Sequence, residues 1–139
     1  MLKFIPSVEQ DVDQIREWSA ADTWHHDQQQ PEWWLTGTDC HIAFCAQDDK
    51  GPVVYVKVEK EEDWYRLHCQ FGPRSEVSRK RLLEAMNIGL PVLFKLLKQD
   101  GGTGVVFESS SRSLVAFMAV HGFKPREKAG DFELKFEVS

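Results

Sequence analysis

The segment GGTGVVFESSSRSLVAFMAVHGF, from Gly101 to Phe123, decides the fold of this chain. Its apolar run Val105–Phe107 predicts a short buried strand. Three consecutive serines then predict a turn, and the apolar stretch behind them predicts a helix that stops at Gly122. The segment is therefore a strand, a turn and a helix, and it lies between a long helical pattern and a final alternating one.

Upstream of this segment, alternation with a period of two predicts three strands: Cys40 to Gln47, Pro52 to Glu59 and Trp64 to Phe71. Two short charged turns join these strands, so we expect Asp39 to Phe71 to form an antiparallel meander. Downstream, Asp131 to Val138 alternates in the same way and predicts a last strand of the same sheet.

Helical spacing marks three further parts of the chain. Apolar residues around Ile15 and Trp18 predict a first helix, which follows a short strand at the N-terminus. The stretch Ala20 to Gly37 predicts a short second helix and a loop. A long helix is expected from Ser78 to Gln99. Its apolar face stays in phase across Pro91, which predicts one kinked helix and not two separate ones.

Composition limits the class of protein. The chain has 139 residues, with 42% hydrophobic and 28% charged residues, which predicts a single domain over residues 1–139. Its net charge of -5 argues against a general affinity for nucleic acid or anionic membranes. No apolar run approaches the ~18 residues that cross a bilayer, and the N-terminus lacks a signal-peptide pattern. Cys40, Cys45 and Cys69 are odd in number and lie in predicted strands, which favours reduced thiols and a cytoplasmic location.

The order of these elements resembles the GNAT superfamily, the acyl-CoA-dependent N-acyltransferases, over essentially the whole chain. Phe4-Ile5-Pro6, followed by Asp11, is similar to the opening of that family, in which a strand ends in proline and an acidic helix follows. The turn Asp48–Gly51 and the helix Leu114–Phe123 are similar to later parts of it. The resemblance implies an α/β (or α+β) fold in which helices flank a mixed, mostly antiparallel sheet.

The same resemblance implies a function, which is transfer of an acyl group from acetyl-CoA or another acyl-CoA to an unknown amine. That amine belongs to a small molecule or a protein. In the family, the third strand of the meander holds the pantetheine arm through its backbone, which here means Cys69 to Phe71. Glu59 and Glu108, each at the end of a strand, are the candidate catalytic bases. The candidate phosphate-binding residues form a basic cluster: Arg74, Arg79, Lys80 and Arg81.

Two departures from the family pattern support an alternative to acyl transfer. GNAT members carry a Gln/Arg-x-x-Gly-x-Gly/Ala loop at the start of the long helix, and counting back from Gly101 places it at Arg81 to Met86, where both glycines are absent. Met118 stands where many members have a tyrosine. The alternative is a catalytically inactive GNAT-like binding or structural module, similar to short GNAT-like proteins of bacteriophages. The basic cluster is then an ordinary solvated face, and a homodimer stays open in either case.

Other groups of reactive residues predict less. His25 and His26 are adjacent and point apart on a regular element, so no metal site is predicted. His68 and Cys69 are neighbours on a strand and face opposite sides, which favours structural roles over a nucleophile pair. The tryptophans of the stretch before the meander either pack in the core or wall a pocket for the acceptor: Trp24, Trp33 and Trp34.

Overall fold

The computed structural model describes residues 1–21, 30–35 and 42–137. Over these ranges a seven-stranded sheet has the order β1-β2-β3-β4-β5-β7-β6. Its strands are β1 (Lys3–Pro6), β2 (Ile42–Asp48), β3 (Gly51–Glu61), β4 (Trp64–Phe71), β5 (Gly104–Glu108), β6 (Lys124–Pro125) and β7 (Asp131–Lys135). The helices are α1 (Val12–Ala21), α2 (Arg79–Gln99) and α3 (Arg112–Val120), with short 3₁₀ turns at Glu9–Asp11 and Pro31–Trp34. Only β4 and β5 pair in parallel among these strands.

The predicted meander is confirmed. In it Val56 lies opposite Phe44 of β2 and opposite Cys69 of β4, both in antiparallel register. The first residues of the predicted range, 39–41, lie outside the described residues. The predicted last strand is confirmed as β7, which pairs antiparallel with β5. It ends at Lys135 and not at Val138, which lies outside the described residues. The two-residue β6 beside it was not predicted. The predicted fold class is therefore confirmed as a mostly antiparallel sheet flanked by helices.

The central strand β3 is buried on both faces, whereas its alternation predicted one apolar face. Val54 and Val56 lie against α2 on one side. On the other side the ring of Tyr55 packs 5.3 Å from the ring of Trp18 in α1, and Lys57 is only 1% exposed. A central strand covered by helices on both sides has no wet face, so its polar residues are buried too.

The long helix α2 runs past Pro91 as one helix, as the phase of its apolar face predicts, while the kink expected at Pro91 stays a prediction. Ser78 caps it, since its Oγ accepts a hydrogen bond from the backbone N–H of Arg81 at 3.2 Å. The residues it buries follow helical spacing: Ala85, Met86, Leu90, Leu93 and Leu97. None of the helices in the described ranges combines the length and the hydropathy that a bilayer crossing requires.

Of the stretch Ala20 to Gly37, the structure describes Ala20 and Ala21 at the end of α1 and then residues 30–35. These six residues contain the 3₁₀ turn Pro31–Trp34, called the Trp33 turn below, in which the ring of Trp34 is fully buried. Trp24, His25 and His26 lie outside the described residues.

Candidate functional site

The sheet opens between β4 and β5. Their parallel pairing covers only Trp64–Arg66 against Gly104–Val106. Beyond this point β4 stays with β3 as far as Phe71, while β5 stays with β7 as far as Glu108. The two strands therefore diverge, and in the described part of the chain the β5 pairing of β4 ends at Arg66. The edge of a strand can pair with an extended ligand.

A cleft of about 380 Å³ occupies this opening. That volume is within the range of small-molecule sites in proteins. Its walls come from the splayed strands, from the first turns of α2 and from α3. The lining residues are Trp33, Arg66, Leu67, His68, Cys69, Phe71, Arg74, Arg79, Leu82, Leu83, Met86, Phe107, Glu108, Ser109, Ser111, Ser113, Leu114, Phe117 and Met118.

The loop between β4 and α2 borders one end of the cleft. The helix starts at Arg79, so this loop is residues 72–78, and the sequence-based placement of the family loop at Arg81 to Met86 is wrong. Arg81 to Met86 lie within the first two turns of α2, which already begins at Arg79. The loop is fixed by side chains, since Val77 is 3% exposed. Glu76 also accepts a hydrogen bond from the indole N–H of Trp18 at 2.9 Å.

Gly72 begins this loop, and it is required there by close packing. A Cβ atom at this position would lie 2.3 Å from Cγ2 of Val77 and 3.0 Å from the ring of Trp18. The loop thus holds its shape without the two glycines of the family pattern, through one glycine and the buried Val77.

The four residues of the predicted basic cluster are divided by the structure. Arg74 and Arg79 line the cleft, while Lys80 is exposed and is not among the lining residues. Arg81 turns toward the β2–β3 turn, where its Nε and one terminal nitrogen each lie 2.7 Å from an oxygen of Asp48. It also donates to the carbonyl oxygens of Gly51 at 3.2 Å and Glu76 at 3.1 Å.

The start of α2 adds backbone donors to the two arginines. The first hydrogen bond of the helix joins the N–H of Leu82 to the carbonyl of Ser78 at 3.1 Å. The N–H groups of Arg79 and Lys80 therefore precede the helical ladder, as the first N–H groups of every helix do. Together with the helix dipole they favour an anion at this end of the cleft.

The middle of the cleft is apolar. Cys69 and Phe71 lie on the same face of β4, and Met86 of α2 and Met118 of α3 lie across from them. Burial raises the pKa of the Cys69 thiol to about 12. The thiol is therefore neutral near pH 7 and does not act as a nucleophile.

The other end of the cleft is polar and contains a histidine–carboxylate pair. Nε2 of His68 lies 2.8 Å from Oε1 of Glu59, and the side chains are 24% and 33% exposed. Glu59 is not among the lining residues, but His68 is. The imidazole of His68 also packs against the indole of Trp33, with ring centroids 4.8 Å apart and planes at 85°.

Glu108 and Arg66 complete the polar end. Glu108 lies at the end of β5 and its carboxylate is 3.1 Å from the ammonium of Lys128. Arg66 bridges two carboxylates, those of Glu61 at 2.9 Å and Asp131 at 3.3 Å. The acids and bases at this end are paired with each other, and His68 brings to the cleft an imidazole, the side chain that general acid–base catalysis uses most often.

Solved structures share this arrangement of elements. A GNAT family acetyltransferase from Staphylococcus aureus Mu50 has a TM-score of 0.74 at 11% identity and covers 99% of this chain and 100% of its own. PaiA N-acetyltransferase from Thermoplasma acidophilum, in complex with coenzyme A, has a TM-score of 0.71 at 16% identity, covering 98% and 99%. A GNAT family acetyltransferase from Brucella melitensis, in complex with acetyl-CoA, has a TM-score of 0.62 at 16% identity, covering 99% and 90%. No family model and no curated protein matches the sequence.

The fold is that of the GNAT acetyltransferases. The resemblance predicted from the sequence is confirmed at this level, since the structural likeness extends over the whole described chain. Identities of 11–16% do not by themselves carry an activity from those proteins to this one.

On the polar side of this GNAT fold, sequence reasoning missed two lining residues, Arg66 and His68. Trp33 also lines the cleft, which is one of the two alternatives given for the tryptophans. His68 was weighed only with Cys69, and the strand register does place these two on opposite faces. The signal that could have found its partner is in the same register. Lys57 lies opposite His68 and Glu59 lies opposite Arg66, so Glu59 and His68 are diagonal neighbours on one face.

Proposed function

We propose that this protein transfers an acyl group from an acyl-CoA, such as acetyl-CoA, to a primary amine. The observation that carries the proposal is the divergence of β4 and β5, which opens a cleft with cations at one end and a histidine–carboxylate pair at the other. The likeness to GNAT structures in complex with coenzyme A or acetyl-CoA supports the same donor.

The donor would enter from the basic end. Arg74 and Arg79, with the first backbone N–H groups of α2, suit the phosphates of CoA. Beyond Arg66 the strand β4 turns away from β5, and this edge suits the amides of pantetheine, which can pair with it as a strand would. Arg81 has another role, because Asp48 already binds its guanidinium. Lys80 contributes at most long-range attraction.

The acceptor amine would bind at the polar end, between the Trp33 turn, His68 and Glu108. Its nitrogen attacks the thioester carbonyl carbon, a C–N bond forms, and the C–S bond breaks to release CoA as thiolate. The imidazole of His68 accepts the proton that the amine loses, and Glu59 holds the ring through the bond to Nε2. The thiolate takes its proton from solvent or from the imidazolium, because Met118 carries none.

Two observations keep the non-catalytic module as the second candidate. The loop 72–78 lacks the glycines that let a phosphate approach the backbone, and Val77 within it is buried. Met118 replaces the expected proton donor. A module of this kind would keep the cleft as a binding site for a ligand other than acyl-CoA.

Thermal shift with acetyl-CoA separates the two candidates. At ~100 times its dissociation constant the donor stabilises the fold by about 2.7 kcal/mol, which raises Tm by roughly 5–15 °C. The double variant Arg74→Gln/Arg79→Gln should lose most of this rise, and the matched control Lys80→Gln should keep it. Turnover is then measured as thiol release with a polyamine, an aminoglycoside and a peptide with a free N-terminus.

The outcomes distinguish the transferase from the non-catalytic module. A rise in Tm that depends on Arg74 and Arg79, with thiol release from any of the three acceptors, supports the transferase. No rise at millimolar acetyl-CoA and no thiol release would support the non-catalytic module. A rise that survives in the double variant keeps donor binding but removes the proposed phosphate site.

A further inference from the structure

A buried lysine lies beside the polar end of the cleft. Lys57 is in the middle of the central strand β3 and is 1% exposed. Its ammonium donates a hydrogen bond to the backbone carbonyl of Trp33 at 2.8 Å. The same nitrogen lies 3.8 Å from the centroid of the Trp33 ring. One cation therefore holds both the backbone and the indole of Trp33.

Trp33 in turn contacts His68, the proposed proton acceptor. Its ring meets the imidazole of His68 edge to face, with centroids 4.8 Å apart. It also meets the buried ring of Trp34 at 5.0 Å and 87°. The Trp33 turn is therefore held from two sides, by the buried Trp34 and by Lys57.

Two contacts of the His68 imidazole with described residues bear on its orientation. Glu59 bonds to Nε2 at 2.8 Å, and the indole of Trp33 packs on the ring. Lys57 and His68 occupy directly opposite positions of the β3–β4 pair. The contacts thus run from Lys57 to Trp33 and from Trp33 to His68, all on one face of the sheet.

We infer that Lys57 is a positioning residue of the acceptor side, which orders Trp33 and through it the ring of His68. The inference rests on the proposed function, in which His68 accepts the proton of the amine. Stability alone does not call for a lysine here, because replacing buried charged groups by well-packed apolar side chains is often neutral or stabilising. What the lysine adds is directional, because its ammonium donates to the Trp33 carbonyl and is also attracted to the indole face, and an apolar side chain does neither.

The test compares Lys57→Met, which keeps length and removes the charge, with Lys57→Arg, which keeps the charge and the donors. Lys60→Met is the matched control, since Lys60 is an exposed residue of the same strand. Three quantities are measured: kcat and KM for the acceptor, the rise in Tm with acetyl-CoA, and the NMR shift of the His68 imidazole C–H. The last resonance is assigned by its loss in His68→Gln.

We expect Lys57→Met to lower kcat roughly 10–100-fold. The rise in Tm with acetyl-CoA should not change, because the donor end of the cleft is untouched. The His68 resonance should lose the ring-current shift that Trp33 imposes and move toward the position of free histidine. Lys57→Arg should keep kcat and the His68 resonance close to their wild-type values, and Lys60→Met should match the wild type in both.

Native kcat and an unmoved His68 resonance in Lys57→Met would overturn the inference. If that variant does not fold, Trp33→Leu decides in its place, because it removes the ring and keeps Lys57; unchanged kcat and an unchanged resonance there would also overturn it. The resonance does not require turnover. Absence of donor binding and thiol release in the wild type would therefore refute the proposed function alone, while the His68 signal would still report whether Lys57 orders the turn.

Discussion

Arg79 and Arg81 lie two residues apart at the start of α2, yet they belong to different parts of the molecule. Arg79 lines the cleft, whereas Arg81 is 13% exposed and forms a bidentate ion pair with Asp48 at the β2–β3 turn. Residues that are two positions apart in an α-helix are separated by about 200° around its axis. A basic cluster in a helical sequence is therefore divided between opposite sides, and the surroundings of each side decide what each cation does.

The largest effect should come from breaking the Arg81 pair. Arg81→Ala removes four hydrogen bonds and leaves the half-buried carboxylate of Asp48 without its cation. We expect a loss of about 2–4 kcal/mol in the free energy of unfolding, measured by urea titration. Lys80→Ala, the neighbouring exposed cation, should change it by less than about 0.5 kcal/mol. Equal losses in the two variants would mean that the Arg81–Asp48 pair stabilises the fold no more than an exposed cation does.

A second prediction concerns acid stability. The hydrogen bonds from Arg81 lower the pKa of Asp48 to about 2. An aspartate in the unfolded chain titrates near 4, so the unfolded state binds this proton first as the pH falls. The pair therefore stabilises the fold above about pH 4, and this stability is lost as the pH falls toward 2.

The unfolding free energy of the wild type and of Asp48→Asn, measured from pH 5 to pH 2, tests this. The slope against pH should be smaller in the variant by up to about one proton, or ~1.4 kcal/mol per pH unit. Parallel slopes would show that Asp48 titrates normally and that its pair with Arg81 is weak.

The smallest effects are expected for acetyl-CoA binding, when the charge of Arg79 or of Lys80 is reversed. Arg79→Glu should weaken acetyl-CoA binding by about tenfold or more, because it places an anion where phosphates are proposed to bind. Lys80→Glu changes the net charge by the same amount, but its side chain lies outside the cleft lining, and we expect about a twofold change that salt removes. Calorimetric titration at two ionic strengths separates them. Similar losses in both variants would indicate general electrostatic attraction and no specific site.

The backbone of this fold could be read from the sequence because its signals are local. Alternation with charged turns between the strands predicted β2, β3 and β4, and helical phase across Pro91 predicted α2 as one helix. The burial of Lys57 could not be read this way. Its position in an alternating strand predicts a wet face, and only the packing of the Trp33 turn and α1 over that face removes the water.

The cleft contains five of the residues that the resemblance implied, and their roles stay predictions: Cys69, Phe71, Arg74, Arg79 and Glu108. Glu59 reaches the cleft only through His68, a pairing that depends on the register of two strands.

The sequence by itself determined the order of the main strands and helices, the antiparallel meander, and the helix boundaries near Ser78 and Gly101. These features follow from periodicity, turns and caps within a few residues. Only the tertiary structure decided where β4 and β5 diverge, which arginine faces the cleft, and which carboxylate meets His68. Those features depend on side chains brought together from distant parts of the chain. Their energies come from burial and pairing that local sequence does not contain.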